Sequence, residues 1–233
     1  MRRLVVLLLV LVGLLVVADR VALHLAEKAV AEQARTSAGL STTPKVTAHG
    51  FPFLTQVLRG RYDRIDVQVR DLDRGGVRIK ELDATLREAK VPLGDALSGS
   101  VDSIPVASLD ATALVTFADL AHRSGLVGVT MQPEGDKVRV TGRVTVLGQS
   151  VRASALSRVT LKNGRIALKA TSFTVLGQST PALMSALTGA FDVLVPVGTL
   201  PYDLQLTDLR VTPDGLQLTA RSGPTVLRTE PGR

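Results

Sequence analysis

The chain has 233 residues, of which 45% are hydrophobic and 3% aromatic, and its formal net charge is +7. This length supports a sizeable core in one domain, and that core must be aliphatic. Cysteine is absent, which excludes disulfides, thiolate metal sites and cysteine nucleophiles. The histidines His24, His49 and His122 lie far apart without a metal-binding spacing, so we expect no metal and no other cofactor.

The first predicted element is an apolar helix over residues 4–18, preceded by Arg2 and Arg3. As a helix it would span on the order of 22 Å at ~1.5 Å per residue, whereas the hydrocarbon core of a bilayer is about 30 Å thick. The run is therefore short for a membrane anchor and long for the core of a signal peptide. We interpret residues 1–18 as a signal peptide or anchor, with residues 16–18 as a candidate cleavage site and a buried core helix as the alternative.

Two adjacent arginines before an apolar helix also predict its orientation. The positive-inside rule keeps them in the cytoplasm, so we expect the body to be exported to the periplasmic side of the cytoplasmic membrane. Export excludes nucleic acid as a partner. The next predicted element is an N-terminal helix within residues 19–40, ended by Gly39. Its predicted apolar stripe comprises Val21, Ala22, Leu25, Ala26 and Ala29.

The body, residues 41–223, is predicted to consist of strands with helical interruptions. The strands predicted in its first half are residues 46–48, 62–71, 77–86 and 103–106. The helices predicted there are residues 53–59, 92–97 and 111–123, the last capped by Asp110. A one-residue slip in the alternating pattern of the third strand predicts a β-bulge near Lys80 and Glu81.

The second half of the body is predicted to be a meander, a helix and a hairpin. The meander strands are residues 126–131, 137–147, 150–161 and 165–176, with Asn163 and Gly164 as a hairpin turn. The sequence TVLGQS occurs at 145–150 and 174–179, and both copies should lie at one rim because alternate meander strands run the same way. Then we predict a helix at 180–194, a loop at 196–201, strands at 202–212 and 216–220, and a loose tail at 224–233.

The sequence contains no GxSxG, Walker, GxGxxG or EF-hand motif, so no catalytic residue is assigned and we expect a non-enzyme. Four aspartates between residues 63 and 73 alternate with four arginines, which favours solvated ion pairs over a metal site. The aliphatic inner face of the sheet fits either a closed core or a groove that holds acyl chains, and patterning alone favours the closed core.

The stretch HGFPFLTQ at 49–56, followed by GRY at 60–62 and an alternating strand, resembles the GFPFLTQ signature of the actinobacterial LmeA-type phospholipid-binding family. The LPY stretch at 200–202 and the turn at Asp214 and Gly215 are also similar to that family, and the resemblance covers roughly residues 19–220. It implies an α+β, TULIP-like lipid-binding fold, in which a bent antiparallel sheet wraps a long helix and encloses an apolar groove. It also implies a cell-envelope protein that binds phospholipids, including inositol lipids, and supports lipomannan maturation.

Two interpretations of Phe51 and Phe53 stay open: they plug the core where helix meets sheet, or they meet a lipid tail at a groove mouth. The candidate groove residues are Phe51, Phe53, Leu54, Val57, Leu58, Tyr62, Phe117, Phe173, Leu183, Leu187 and Phe191. The candidate head-group residues are Arg59, Arg61 and Arg64. Expected partners are a phospholipid, the membrane surface and envelope glycosyltransferase machinery. The alternatives are an envelope scaffold for a membrane glycosyltransferase, or an enzyme that modifies a lipid-linked glycan.

Overall fold

The computed structural model describes residues 2–74, 77–98, 101, 103–123, 128–146, 149–162, 165–175, 193–196 and 200–228. The helices there are α1 (Arg2–Ser37), α2 (Phe53–Arg59), α3 (Leu93–Ser98) and α4 (Phe117–Arg123), with a 3-10 turn at Pro201–Asp203. The strands are β1 (Lys45–His49), β2 (Arg61–Arg74), β3 (Val77–Lys90), β4 (Ser103–Val106), β5 (Ser108–Thr116), β6 (Thr130–Glu134), β7 (Lys137–Val146), β8 (Gln149–Lys162), β9 (Arg165–Val175), β10 (Val193–Pro196), β11 (Gln205–Thr212), β12 (Gly215–Ser222) and β13 (Thr225–Arg228). The predicted α+β class is confirmed.

Within the described ranges, the strands form sheets of six, five and two strands. Their orders are β1-β2-β3-β5-β12-β11, β10-β9-β8-β7-β6 and β13-β4. The chain divides into two compact units. Unit 1 comprises Met1–Arg70, Asp83–Asp110 and Ser222–Arg233, and unit 2 comprises Asp71–Leu82 and Ala111–Arg221.

In unit 1, α1 runs without a break from the apolar segment through the predicted N-terminal helix. It ends where predicted, because Gly39 takes a φ of 61° and the Leu40 N–H donates to the Arg35 carbonyl at 2.9 Å. The predicted apolar stripe is only partly buried, since Ala22 and Ala26 are half-buried whereas Val21 and Leu25 are 53% and 61% exposed. The helix instead contacts β1 and α2, and this contact uses polar groups that helical periodicity does not reveal.

The predicted loose tail is wrong for residues 225–228, which form β13. This strand pairs antiparallel with β4, with Thr225 opposite Val106 and Arg228 opposite Ser103. The short stretch TVLR has residues that favour strands, but its partner lies more than a hundred residues earlier in the chain. No local pattern identifies such a partner.

In unit 2, the register confirms a four-stranded meander, but its first strand is Thr130–Glu134 and not the predicted residues 126–131. Lys137 pairs with Arg158 and Lys162 pairs with Arg165, so β8 and β9 form the predicted hairpin, although its turn at 163–164 lies outside the described residues. Strands β7 and β9 both run antiparallel to β8 and therefore end at the same edge, as the two TVLGQS copies require. Gly148 and Gly177 themselves lie outside the described residues. The core of this unit contains Phe117, Val138, Val140, Ala153, Ala155, Val159, Ile166, Leu168 and Leu216.

The predicted helix over residues 111–123 is wrong in its first half, which belongs to strand β5. Leu109 and Val115 are buried on that strand, and the stretch is rich enough in Thr and Val to favour a strand once neighbours are available. Helix α4 begins only at Phe117. Its cap is Thr116, whose hydroxyl oxygen accepts the Asp119 N–H at 3.2 Å, not the predicted Asp110.

Two boundaries near the end of unit 2 also differ from the prediction. Residues 180–192 of the predicted helix lie outside the described residues, but Val193–Pro196 is a strand paired with β9, so no helix reaches Leu194. The last hairpin starts at Gln205 instead of Tyr202, because Pro201–Asp203 forms a 3-10 turn with Tyr202 at a φ of 60°. The hairpin turn itself is confirmed, with Thr212 opposite Gly215. The bulge at Lys80 and Glu81 stays a prediction.

Candidate functional site

The signature segment, residues 49–62, is organised around Gly50 and Gln56. Gly50 takes a φ of 110°, and a Cβ there would lie 2.4 Å from Gln56 Nε2. The Gln56 side chain is buried; its amide donates to the His49 carbonyl at 3.2 Å and its oxygen accepts the Asp63 N–H at 3.0 Å. Gly50 and Gln56 therefore depend on each other, which explains why both belong to one short signature.

Helix α2 is held at its start by a side chain from α1. Pro52 precedes the helix and provides no side-chain cap. The N–H of Leu54 instead donates to Asp19 Oδ1 at 2.8 Å, and Asp19 Oδ2 accepts from Arg20 at 2.6 Å. Asp19 is 2% exposed, so the end of the apolar run and the start of the signature segment form one packed junction. This cap was missed in the sequence, because Asp19 lies 35 residues from Leu54.

The end of α2 is equally well defined. Gly60 takes a φ of 63°, and its N–H donates to the Val57 carbonyl at 3.1 Å. Its carbonyl accepts the Val91 N–H at 3.0 Å, and a Cβ at Gly60 would lie 3.0 Å from the Val91 carbonyl oxygen. The predicted bounds of α2 are confirmed, and the glycine after it is required by close backbone contact.

The structure separates the candidate groove residues of this segment into an inner and an outer set. Phe53 is 5% exposed, and its ring centroid lies 6.2 Å from that of Tyr62 at a tilt of 45°. Burial raises the pKa of the Tyr62 hydroxyl above its usual range. Phe53 and Tyr62 form the inner set with Val57, which is half-buried.

The outer set comprises Phe51, Leu54 and Leu58, which are 63%, 37% and 73% exposed. The Arg20 guanidinium carbon lies 5.1 Å from the Phe51 ring centroid, a cation–π distance. The core-plug interpretation therefore fits Phe53, whereas Phe51 lies on the surface. This division was not predicted, since the two Phe residues differ by only two positions.

The remaining candidate groove residues belong to unit 2 or lie outside the described residues. Phe117 is part of the unit 2 core, and Phe173 packs against that core. Leu183, Leu187 and Phe191 fall outside the described residues. Their roles in a groove stay predictions.

The candidate head-group arginines differ in their ionic partners. Arg61 lies 3.6 Å from Glu88, and both side chains are more than half exposed. Arg64 lies 3.6 Å from Asp66. Arg59 is exposed at the end of α2, and within the described part of the chain it forms no ion pair. Arg59 is therefore the most available of the three cations for an anionic ligand.

A polar network beside this segment was not predicted. His49 Nε2 lies 2.7 Å from Asp66 Oδ2, and the Thr85 hydroxyl donates to Asp66 Oδ1 at 2.9 Å. Burial opposes ionisation of Asp66, but the bonds from Thr85 and His49 and the charge of Arg64 outweigh it and lower its pKa. The hydroxyl contacts the carboxylate and not the imidazole, so the order differs from a nucleophile–base–acid relay. This trio ties β1 to β2 and β3.

Three other features of the described residues bear on ligand binding and on the membrane. A depression of about 330 Å³ in unit 2 has a polar lining, which suits water or a polar ligand better than an acyl chain; its lining is Thr112, Thr207, Asp208, Arg210, Gln217, Thr219 and Arg221. In the ranges that the structure describes, no group of three or more His, Asp or Glu side chains could hold a metal ion. Helix α1 is long and apolar enough to cross a membrane, by length and composition.

Comparison with known proteins adds one positive finding. The chain matches the family described as LmeA-like phospholipid-binding over residues 17–221. The match includes both sides of the junction between Asp19 and Leu54, together with the whole signature segment. No curated protein and no solved structure matches the chain.

Proposed function

Because the chain belongs to the LmeA-like phospholipid-binding family, we propose that it is an exported cell-envelope protein that binds an anionic phospholipid of the inositol type. The apolar start of α1 acts either as an anchor, which holds the protein at the outer face of the cytoplasmic membrane, or as a signal peptide, whose cleavage releases the protein there. It presents or shuttles the lipid and carries out no chemistry on it. The family match is the observation that carries this proposal, and the signature segment supplies the local chemistry.

Acyl-chain binding is supported by the apolar character of the segment around α2. Removing apolar surface from water is worth roughly 25 cal/mol per Å², so burying one lipid tail stabilises a complex without a specific polar contact. Phe53, at the start of α2, forms an aromatic pair with Tyr62 of β2. A tail that reached this pair would contact its aromatic surface, and a lipid site is lined mainly by apolar groups.

Preference for an anionic head group is supported by the positive charge at the end of the same segment. Arg59 and Arg61 are exposed, and the formal net charge of the chain is +7. A guanidinium binds phosphate through a planar pair of N–H donors. The arginines therefore offer the head group a site beside the apolar segment that would hold the tails.

The direct test is native mass spectrometry of the full chain purified under mild conditions. We expect a mass increment equal to an intact phospholipid, and tandem mass spectrometry of the released lipid should identify an inositol head group. Exchange against equimolar phosphatidylinositol and phosphatidylcholine should favour the inositol lipid. A chain that carries only its own mass, before and after incubation with both lipids, would refute lipid binding and favour a scaffold.

The envelope role that we propose is support of lipoglycan maturation beside a membrane glycosyltransferase. The resemblance to the LmeA-type family motivates this role. Deleting the chain's gene in a lipomannan-producing cell should shorten the lipomannan, and restoring it should reverse the change. Turnover of a labelled lipid-linked glycan by the purified chain would instead show an enzyme.

A further inference from the structure

The outer face of α2 is apolar although it points to solvent. Leu54 and Leu58 are four residues apart and share one side of α2, and Phe51, which lies two residues before the helix begins, is exposed as they are. The opposite side buries Phe53 and Gln56. Apolar side chains that cluster on the exposed side of a short helix mark a candidate interaction surface.

The position of this face along α1 is set by two contacts. Asp19 accepts the Leu54 N–H at 2.8 Å, and Arg20 lies 5.1 Å from the Phe51 ring centroid. Asp19 and Arg20 are the first charged residues after the apolar run 4–18. These contacts hold the start of α2 beside the end of the apolar run. This holds at any depth to which α1 enters a bilayer.

The length of the apolar run decides what lies at that level. A run of about 22 Å, at ~1.5 Å per residue, is shorter than the roughly 30 Å hydrocarbon core. A short span thins the bilayer or draws flanking residues into its interface. Asp19 tolerates this position because it is paired with Arg20 at 2.6 Å and caps α2.

We propose that Phe51, Leu54 and Leu58 dock onto the outer surface of an anionic phospholipid bilayer, with Arg20 and Arg59 beside them facing lipid phosphates. This inference rests on the membrane placement in the proposed function, and it assigns the three apolar side chains to the bilayer itself and not to a single bound lipid. Aromatic and leucine side chains next to arginine are typical of interfacial helices.

Docking gives the lipid-binding segment a fixed orientation. Three apolar side chains bind a membrane weakly on their own, but α1 makes their contact intramolecular and so raises its effective concentration. The outer face of α2 then lies on the membrane while its inner face holds Phe53 against Tyr62.

The absence of cysteine allows a clean test with one introduced thiol. We would label Leu58→Cys in the full chain with an environment-sensitive fluorophore and reconstitute it into vesicles containing phosphatidylglycerol, with and without doxyl-labelled lipid. Ala38→Cys is the matched control, because it lies far from the proposed membrane contact. Ala38 directly follows Ser37, the last residue of α1, which is about 27 Å along the helix from Asp19 at ~1.5 Å per residue. We expect blue-shifted, strongly quenched emission at Leu58→Cys, several-fold beyond the control.

A second vesicle separates the bilayer from a bound lipid. Tetraether lipids span the whole membrane and cannot be extracted by one protein, so the blue shift at Leu58→Cys should persist in tetraether vesicles. Loss of the shift there, or emission at Leu58→Cys equal to that at Ala38→Cys in both vesicles, would overturn the docking assignment. Native mass spectrometry of the lipid-loaded chain tests the proposed function independently, so the two can fail separately.

Discussion

The carboxylate of Asp19 accepts the backbone N–H of Leu54 at 2.8 Å, joining the end of the apolar run in α1 to the first turn of α2. The contact spans 35 residues of sequence and is almost fully shielded from water, since Asp19 is 2% exposed. It makes the orientation of the signature segment depend on the position of α1. The experiments below test this junction, the segment it positions and the network beside it.

Removing the cap should loosen the start of α2. In Asp19→Ala the Leu54 N–H loses its acceptor, and lost helix caps speed local opening by on the order of tenfold. Hydrogen–deuterium exchange at Leu54 should therefore accelerate. Glu32→Ala is the matched control, because Glu32 is an exposed carboxylate on the same helix that pairs only locally with Arg35. Equal exchange rates at Leu54 in the two variants would contradict the capping role.

The two phenylalanines of the signature should differ sharply in their effect on stability. Phe53 is 5% exposed, so Phe53→Ala should lower the free energy of unfolding by about 3–5 kcal/mol, as for other buried Phe residues. Phe51 is 63% exposed, and Phe51→Ala should cost about 1 kcal/mol or less, chiefly through its contact with Arg20. Urea unfolding would measure both. Similar losses would show that the inner and outer sets are not distinct.

The signature glycine should be less replaceable than a glycine that only ends a helix. Gly50→Ala adds a Cβ at a φ of 110° and 2.4 Å from Gln56 Nε2, so it combines backbone strain with a clash. Gly39→Ala meets nothing within 4 Å at a φ of 61° and should cost only about 1 kcal/mol. Thermal unfolding should show the larger decrease in Tm for Gly50→Ala. A smaller decrease in Tm for Gly50→Ala than for Gly39→Ala would mean that the Gln56 side chain moves away from the added Cβ without a loss of stability.

The network at Asp66 predicts a dependence on acid pH. The pKa of Asp66 lies below its ordinary value of 3.8, so its ionised form stabilises the fold. That contribution is fully present above the ordinary value and is lost as the pH falls through the lower, folded-state pKa. The stability difference between wild type and Asp66→Asn should therefore be large at pH 7 and shrink toward pH 2–3.

Urea unfolding at a series of pH values measures that difference directly. Asp136→Asn, in the exposed turn between β6 and β7, is the control and should change stability little at any pH. A difference for Asp66→Asn that is constant from pH 7 to the acid range would contradict the contribution of its carboxylate.

Neutralising the exposed arginines should affect anionic lipids more than zwitterionic ones. The Arg59→Gln/Arg61→Gln variant should bind phosphatidylinositol several-fold more weakly and phosphatidylcholine almost as before. Raising the salt to 1 M, where the screening length is about 3 Å, should reduce the wild type's preference in the same way. Binding would be measured by lipid exchange and native mass spectrometry.

A control for net charge is Arg158→Gln/Lys169→Gln in unit 2, which removes the same charge at two exposed positions that are distant in the sequence. It should leave the preference for phosphatidylinositol unchanged. Equal weakening of both lipids in the Arg59→Gln/Arg61→Gln variant would remove the head-group role from these two arginines.

Several elements followed from local sequence alone. Gly39 ends α1, Gly60 ends α2, and the spacing of apolar residues located the meander strands β7 to β9. Each depends on interactions within a few residues of the chain, namely left-handed caps, tight turns and alternation across a pleat. The apolar run of α1 and the signature segment were also recognisable as patterns, and they led to the correct family.

Tertiary structure decided what those patterns contact. Residues 111–116 have an acceptable helical pattern but form a strand, because neighbouring strands satisfy their backbone and bury Val115. Residues 225–228 are ordered only through their pairing with β4. Asp19 caps a helix 35 residues away, and Phe51 lies outside while Phe53 lies inside. Each depends on groups that are distant in sequence, and their contact energy appears only after the chain has brought them together.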